Sequence, residues 1–187
     1  MTAASAAVGT GRFRRVLGHF CTGVTVITTA DAAGPAGFAC QAFVPLSLDP
    51  PLVLFCVRSE SATGHRIQAA GMFAVNVLAD DQKDLSRTFG GGGDGDRFTG
   101  VGWSPAPSGS PLLTDVLTWA DCRVEAVHPG GDHVIVVGRV TALGPCRDAG
   151  PLVFHRGRYT ATVTVSPHEP PEVVDTLLAW PRHNDWI

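Results

Sequence analysis

An antiparallel β-barrel with a few helices packed on its outside is the fold class predicted by this 187-residue sequence. Two observations predict it. Strand-like segments outnumber helical ones and cluster toward both ends of the chain, with short helices between them. The regular strand–helix alternation that a parallel, doubly wound sheet needs fails after residue 100.

The elements follow in order. Residues 1–10 read as a flexible N-terminal arm. GRFRRVLGHF (11–20) has helical spacing, with Phe13, Val16, Leu17 and Phe20 on one face and Arg12, Arg14 and Arg15 on the solvent side. GVTVITTA (23–30) is rich in β-branched residues and predicts a strand, closed by the turn signal DAAGP. GFACQAFVPLSLDPP (37–51) resists assignment. It has no charge before Asp49, and its apolar run is broken by Cys40, Gln41 and Ser47. A buried strand favours Val and Ile, and a solvent loop favours charge.

PLVLFCV (51–57) is a short apolar strand, and SATGHRIQAAG (61–71) a short helix ending at Gly71. MFAVNVLA (72–79) predicts a strand, and DDQKDLSRTF (80–89) a helix with acidic residues in its first turn. GGGGDGD (90–96) reads as a mobile loop. WADCRVEAVH (119–128), DHVIVVGRVTAL (132–143) and PLVFHRGRYTATVTV (151–165) are three further strand signals joined by HPGG and GPCRDAG. The division expected is therefore an arm to residue 10, one domain over 11–165, and a C-terminal extension over 166–187 with a short helix in PPEVVDTLLAW.

Composition narrows the function. With 44% hydrophobic and 17% charged residues the chain can bury a full core. A net charge of −3 leaves no electrostatic footprint for nucleic acid. The longest apolar run is too short to cross a bilayer, and MTAASAAVGTG lacks the features of a signal peptide, so a cytoplasmic protein is expected. Five cysteines without a C-x-x-C pair read as reduced thiols filling core positions, and no metal is expected. One lysine against thirteen arginines is the usage of a GC-rich genome, such as that of an actinobacterium.

Chemistry-bearing motifs are few. The glycine loop lacks the Lys-Ser/Thr ending of a phosphate-binding loop. Arg97-Phe98 behind it suits a phosphate or flat ring at a site entrance, or simply a surface. Ser61 and Thr63 at a helix start suit a phosphate cradle, although an ordinary helix cap accounts for one of them. His133 opens a strand just after a glycine turn. No nucleophilic triad, H-E-x-x-H or carboxylate pair completes a site, so an enzyme of this sequence would draw its chemistry from a bound cofactor.

Taken in order, FRRVLGHFCTGVTVITT, GFACQAFVPLSLDPPLVLFC, GMFAVNVLADDQKDLSRTFG, GDRFTGVGW, GGDHVIVVGRV and PLVFHRGRYT resemble the short-chain flavin reductases. These are the reductase components of two-component flavin-dependent monooxygenases. The resemblance spans residues 11–162, and the CTG and ACQ variants resemble actinobacterial members serving aromatic-ring hydroxylases in steroid degradation or natural-product biosynthesis. It implies a homodimer with the FMN-binding split-barrel fold, a Greek-key antiparallel barrel. It also implies a diffusible flavin (FAD, or FMN) reduced by NAD(P)H, and a partner monooxygenase; NADH is expected over NADPH because no basic pair marks a 2′-phosphate pocket.

Residue by residue, the resemblance implies that Phe38, Ala39, Cys40, Gln41 and Ala42 lie along the isoalloxazine ring, largely through backbone groups. Cys40 and Gln41 stand where many members have Thr, Ser or Asn, and Pro45 where many have Ser. Ser61 and Thr63 would hold the flavin phosphate or ribityl chain, with Arg58 and Arg97 supplying positive charge nearby and Val57, Ala62 and Phe98 completing the flavin-binding set. His133, in the family's GDH motif, would position the nicotinamide, and Arg158 and Tyr159 would close the nucleotide side. A non-catalytic flavin carrier of the same fold is the competing class. Tight copurified flavin without NADH oxidation would favour that carrier.

Overall fold

The computed structural model describes residues 8–91 and 96–162; the C-terminal helix expected within 166–187 and the centre of the glycine loop lie outside them. The described residues form three α-helices, of which α2 (Ala62–Ala70) and α3 (Lys83–Gly90) pack on a curled sheet while α1 (Thr10–Leu17) buries no residue. The main sheet joins β2 (Thr25–Asp31), β3 (Gly34–Cys40), β4 (Phe43–Leu48), β5 (Pro51–Arg58), β6 (Met72–Val77), β9 (Thr118–Gly130) and β10 (His133–Leu143). Small sheets add β1 (Thr22–Gly23) with β11 (Val153–His155) and β12 (Arg158–Thr160), and β7 (Trp103–Pro105) with β8 (Pro111–Leu113).

The main sheet has seven strands in the order β3-β2-β6-β9-β10-β5-β4, antiparallel in every pair. It curls until β3, at one margin, meets β5, the strand next to β4 at the other. The Phe38 and Phe55 rings lie 6.0 Å apart across the gap, and the Cys40 thiol sits 3.7 Å from the Cys56 carbonyl. The chain itself crosses the gap at Gln41, after which the Ala42 carbonyl accepts from the Cys56 amide at 2.9 Å. The barrel is thus split between β3 and β5, where side chains touch without a ladder.

Alternation along β5 explains the core. Val53, Phe55 and Val57 point inward to meet Ile27, Phe73, Val75 and Val136. A second apolar layer, with Val24, Val26, Leu78, Phe89, Phe98 and Leu152, lies under α3. Asn76 is fully buried between barrel and outer layer, and is satisfied there. Its Nδ2 donates to the Val26 carbonyl and Thr28 hydroxyl (both 3.1 Å), and its Oδ1 accepts from the Leu113 amide at 2.8 Å.

Several expectations change. GPAGFAC and FVPLSL are strands despite their small residues and proline. The expected single strand over 151–165 includes a hairpin, because Arg156 and Gly157 both adopt positive φ (50° and 79°), as a two-residue turn requires. The cysteines divide: Cys40 and Cys122 are buried, Cys56 is half-buried, and Cys21 and Cys146 are exposed. Among the described residues nothing covers the apolar face of α1: Phe13, Val16 and Leu17, and Phe20 just after the helix, are all more than half exposed. Among the described residues no helix is long and apolar enough to cross a membrane.

Candidate functional site

The split in the barrel opens into a cleft of about 1340 Å³. β3 forms its floor, the ends of β5 and β10 one wall, the first turn of α2 one end, and the end of α3 with residues 96–98 the other wall. The sequence-predicted residues Phe38, Ala39, Cys40, Gln41 and Ala42 line the floor. Val57, Arg58, Ser61, Ala62 and Thr63 line the α2 end, with Arg97, Phe98 and His133 on the walls. Arg158 and Tyr159 do not reach the cleft in this chain. Tyr159 faces α3 instead, its hydroxyl 2.9 Å from Ser86 Oγ and its ring 5.2 Å from Phe154, so it buttresses the helix that borders the cleft.

The floor is flat and uncharged because its side chains are small. Gly37 has no room for more: a Cβ there would lie 2.9 Å from Phe89 Cε1 and 3.1 Å from the Ile27 carbonyl oxygen. Burial pushes the Cys40 thiol up to about 12, so the floor carries a neutral S–H and no thiolate.

At the α2 end, Ser61 is the helix cap, its Oγ accepting from the Gly64 amide at 3.1 Å. Helix geometry leaves the Ala62 and Thr63 amides without an i−4 carbonyl, and the hydroxyls of Ser61 and Thr63 stand beside them. Gly64 lets this turn settle on β5, since a Cβ would be 3.2 Å from both Val57 methyls. Arg58 and His133 are direct partners across β5 and β10, so both side chains leave the same face of the sheet at the rim of the cleft.

His133 Nδ1 lies 2.7 Å from Asp132 Oδ1, and this bond holds the Asp132 carboxyl below the usual carboxylate range. With Nδ1 engaged by the carboxylate, Nε2 is the ring nitrogen left to meet a ligand. Arg97 departs from expectation. Its guanidinium donates to the carbonyls of Gly37 (3.0 Å) and Gly91 (2.8 Å), tying the segment after α3 to the floor. Phe98 is buried, edge-on to Phe89 at 5.1 Å, and belongs to the outer core as much as to the cleft.

Sequence reading missed Gly37, Glu60 and Arg66, all of which line the cleft. Arg66 is held by Asp31 through two bonds of 2.7 and 2.6 Å and also donates to the Gly34 carbonyl. The one available signal was the glycine inside an apolar stretch, which marks a close approach.

The donor set fits a flavin. An uncharged, small-residue floor accepts a flat heterocycle, and a capped helix start with two hydroxyls and an arginine accepts a phosphate.

Comparison with known proteins bears on the same cleft. The pattern of the flavin reductase like domain matches residues 17–162. A flavin-dependent monooxygenase reductase subunit, HsaB, of Rhodococcus jostii is 51% identical over 157 residues, 84% of this chain and 80% of the relative. The crystal structure of nitrilotriacetate monooxygenase component B from Mycobacterium thermoresistibile superposes with a TM-score of 0.80 at 46% identity, covering 89% of this chain and 95% of the other. The NADH:FAD oxidoreductase SgcE6 of Streptomyces globisporus, in complex with NAD and FAD fragments, has a TM-score of 0.80 at 32% identity, covering 87% and 99%.

Proposed function

Since the chain belongs to the flavin reductase like family and is a flavin reductase, we propose that it uses NADH to reduce a diffusible FAD or FMN in the cleft at the barrel split. The reduced flavin then leaves for a separate monooxygenase in the cytoplasm. The observation that carries the site assignment is the convergence of the uncharged floor, the α2 start and His133 on one cleft. When bound, the flavin supplies the acceptor for the hydride of the reduced nicotinamide.

The chain's own residues bind and orient. The Ala62 and Thr63 amides, with Ser61, Thr63 and Arg58, hold the phosphate, and the backbone of Phe38–Ala42 bears the ring. The Nε2 of His133 meets the nicotinamide carboxamide and sets its angle, while Asp132 holds the other ring nitrogen. No protein group need transfer a proton in this scheme, so stacking at near-attack distance is the protein's contribution. A micromolar affinity, about −8 kcal/mol, lets the flavin exchange between turnovers.

A homodimer completes this reading. The uncovered apolar face of α1 and the exposed Leu46 and Leu48 of β4 support it, since apolar surface of that kind marks an interface. Sedimentation of wild type as a dimer and of Phe13→Glu/Leu17→Glu as a monomer would support it; a monomeric wild type would refute it.

The deciding experiment is NADH oxidation by flavin-stripped protein with FAD and FMN added separately. Turnover that saturates with free flavin is expected. Flavin binding without turnover would leave a carrier.

A further inference from the structure

Glu60 places a negative charge where a phosphate cradle gains nothing from one. It lies in the turn from β5 to α2, closed by the Ser61 amide donating to the Arg58 carbonyl at 2.9 Å, and its exposed side chain lines the cleft with Arg58 and Ser61. The other charges around this end have partners. Arg66 of α2 is paired with Asp31 of β2, Arg97 lies on backbone carbonyls, and Asp96 accepts from the Phe98 amide and the Thr99 hydroxyl. On β10, His133 stands opposite Arg58 and is bound to Asp132. Arg58 and Glu60 are thus opposite charges two residues apart at the cradle. Arg58 and the helix start attract a phosphate there, and Glu60 offsets part of that attraction, more for a dianion than for a monoanion.

We propose that Glu60 is a specificity-determining residue that favours FAD over FMN in this cleft, an inference that rests on the flavin assignment above. The terminal phosphate of FMN is a monoester with a second pKa near 6, so it carries close to two charges at neutral pH. Each phosphate of the FAD diphosphate carries one charge. Glu60 therefore repels FMN at the cradle about twice as strongly. At an exposed site in physiological salt the discrimination is modest, about twofold.

The test is fluorescence-quenching titration of the full-length protein with FAD and with FMN, for wild type, Glu60→Gln and Glu60→Lys, at two pH values. At neutral pH, Glu60→Gln tightens FMN about two- to fivefold and FAD about 1.4- to twofold, and Glu60→Lys extends the trend. Lowering the pH to between about 5 and 6 protonates the FMN monoester. The gain of FMN over FAD on Glu60→Gln then shrinks, because both ligands now place one charge at the cradle. The FMN-to-FAD ratio is read because other pH effects act on both ligands. An unchanged ratio in both variants, or an equal loss of both flavins, overturns the role of Glu60. A wild type that binds neither flavin overturns the cleft assignment itself.

Discussion

Gly37→Ala isolates the contact on which the cleft floor depends. The new Cβ would stand 2.9 Å from Phe89 Cε1, 3.1 Å from the Ile27 carbonyl oxygen and 3.1 Å from Thr28 Cγ2. The Ile27 oxygen belongs to the β2–β3 pair and cannot yield without disturbing the ladder. Phe89 is 1% exposed and wedged against Phe98, so its ring has nowhere to retreat. Overpacking a core costs about 1–3 kcal/mol, and the reduced freedom of the unfolded chain returns roughly 0.4–1 kcal/mol. The net loss is about 1–2 kcal/mol, read by urea denaturation. Arg97 reaches the carbonyls of both Gly37 and Phe89, so the same displacement loosens the clamp and weakens flavin binding. Phe89→Leu in the Gly37→Ala background removes the opposing ring edge, and the pair should be more stable than the sum of the single changes by about 0.5–2 kcal/mol. A Gly37→Ala protein as stable as wild type, or strictly additive changes, would refute the steric argument.

Other expectations follow from the same contacts. His133→Ala raises the KM for NADH several-fold and leaves flavin affinity within about twofold, as steady-state kinetics with a parallel flavin titration would show; lost flavin binding with unchanged NADH kinetics would contradict the assigned role. Asn76→Ala strands the buried Leu113 amide and costs about 2–4 kcal/mol in thermal or urea unfolding. The Arg66 guanidinium holds the Asp31 carboxyl below its ordinary range, so this pair stabilises the fold above about pH 4. That contribution is lost as the pH falls through the depressed folded value. Arg66→Ala should therefore move the acid-unfolding midpoint to higher pH by circular dichroism, and an unmoved midpoint would show that the pair contributes nothing.

Which parts were legible in the sequence follows from local composition. β2 and β10 are rich in Val, Ile and Thr, and β5 and β6 are mostly apolar runs, so their strand character is local. β3 was not legible because Gly, Ala and Pro occupy positions where Val or Ile would signal a strand. Gly37 shows why, since its missing side chain makes room for Phe89. The hairpin of β11 and β12 was hidden because its turn, Arg156-Gly157, sits inside a strand-like run. The cleft residues at the α2 start and His133 were readable from motif order. The contact of Tyr159 with Ser86 was not legible, because a motif fixes a residue's identity and not which neighbour it meets. The Arg66–Asp31 pair, 35 residues apart, leaves no trace in any local pattern.

The split between β3 and β5 has a mechanical consequence. Elsewhere around the barrel neighbouring strands are stitched by ladders, whereas these two lips meet through a ring contact, a thiol and the single crossing of the chain at Gln41. Thermal breathing should open the molecule there first. A ligand seated between the lips acts as a clasp, so amide exchange along β3 should slow when flavin is added. The clasp must also undo itself at each turnover. Residence time of the ligand and fraying of this margin are then one quantity, and any substitution that stiffens the lips will slow ligand exchange as surely as it raises the melting temperature.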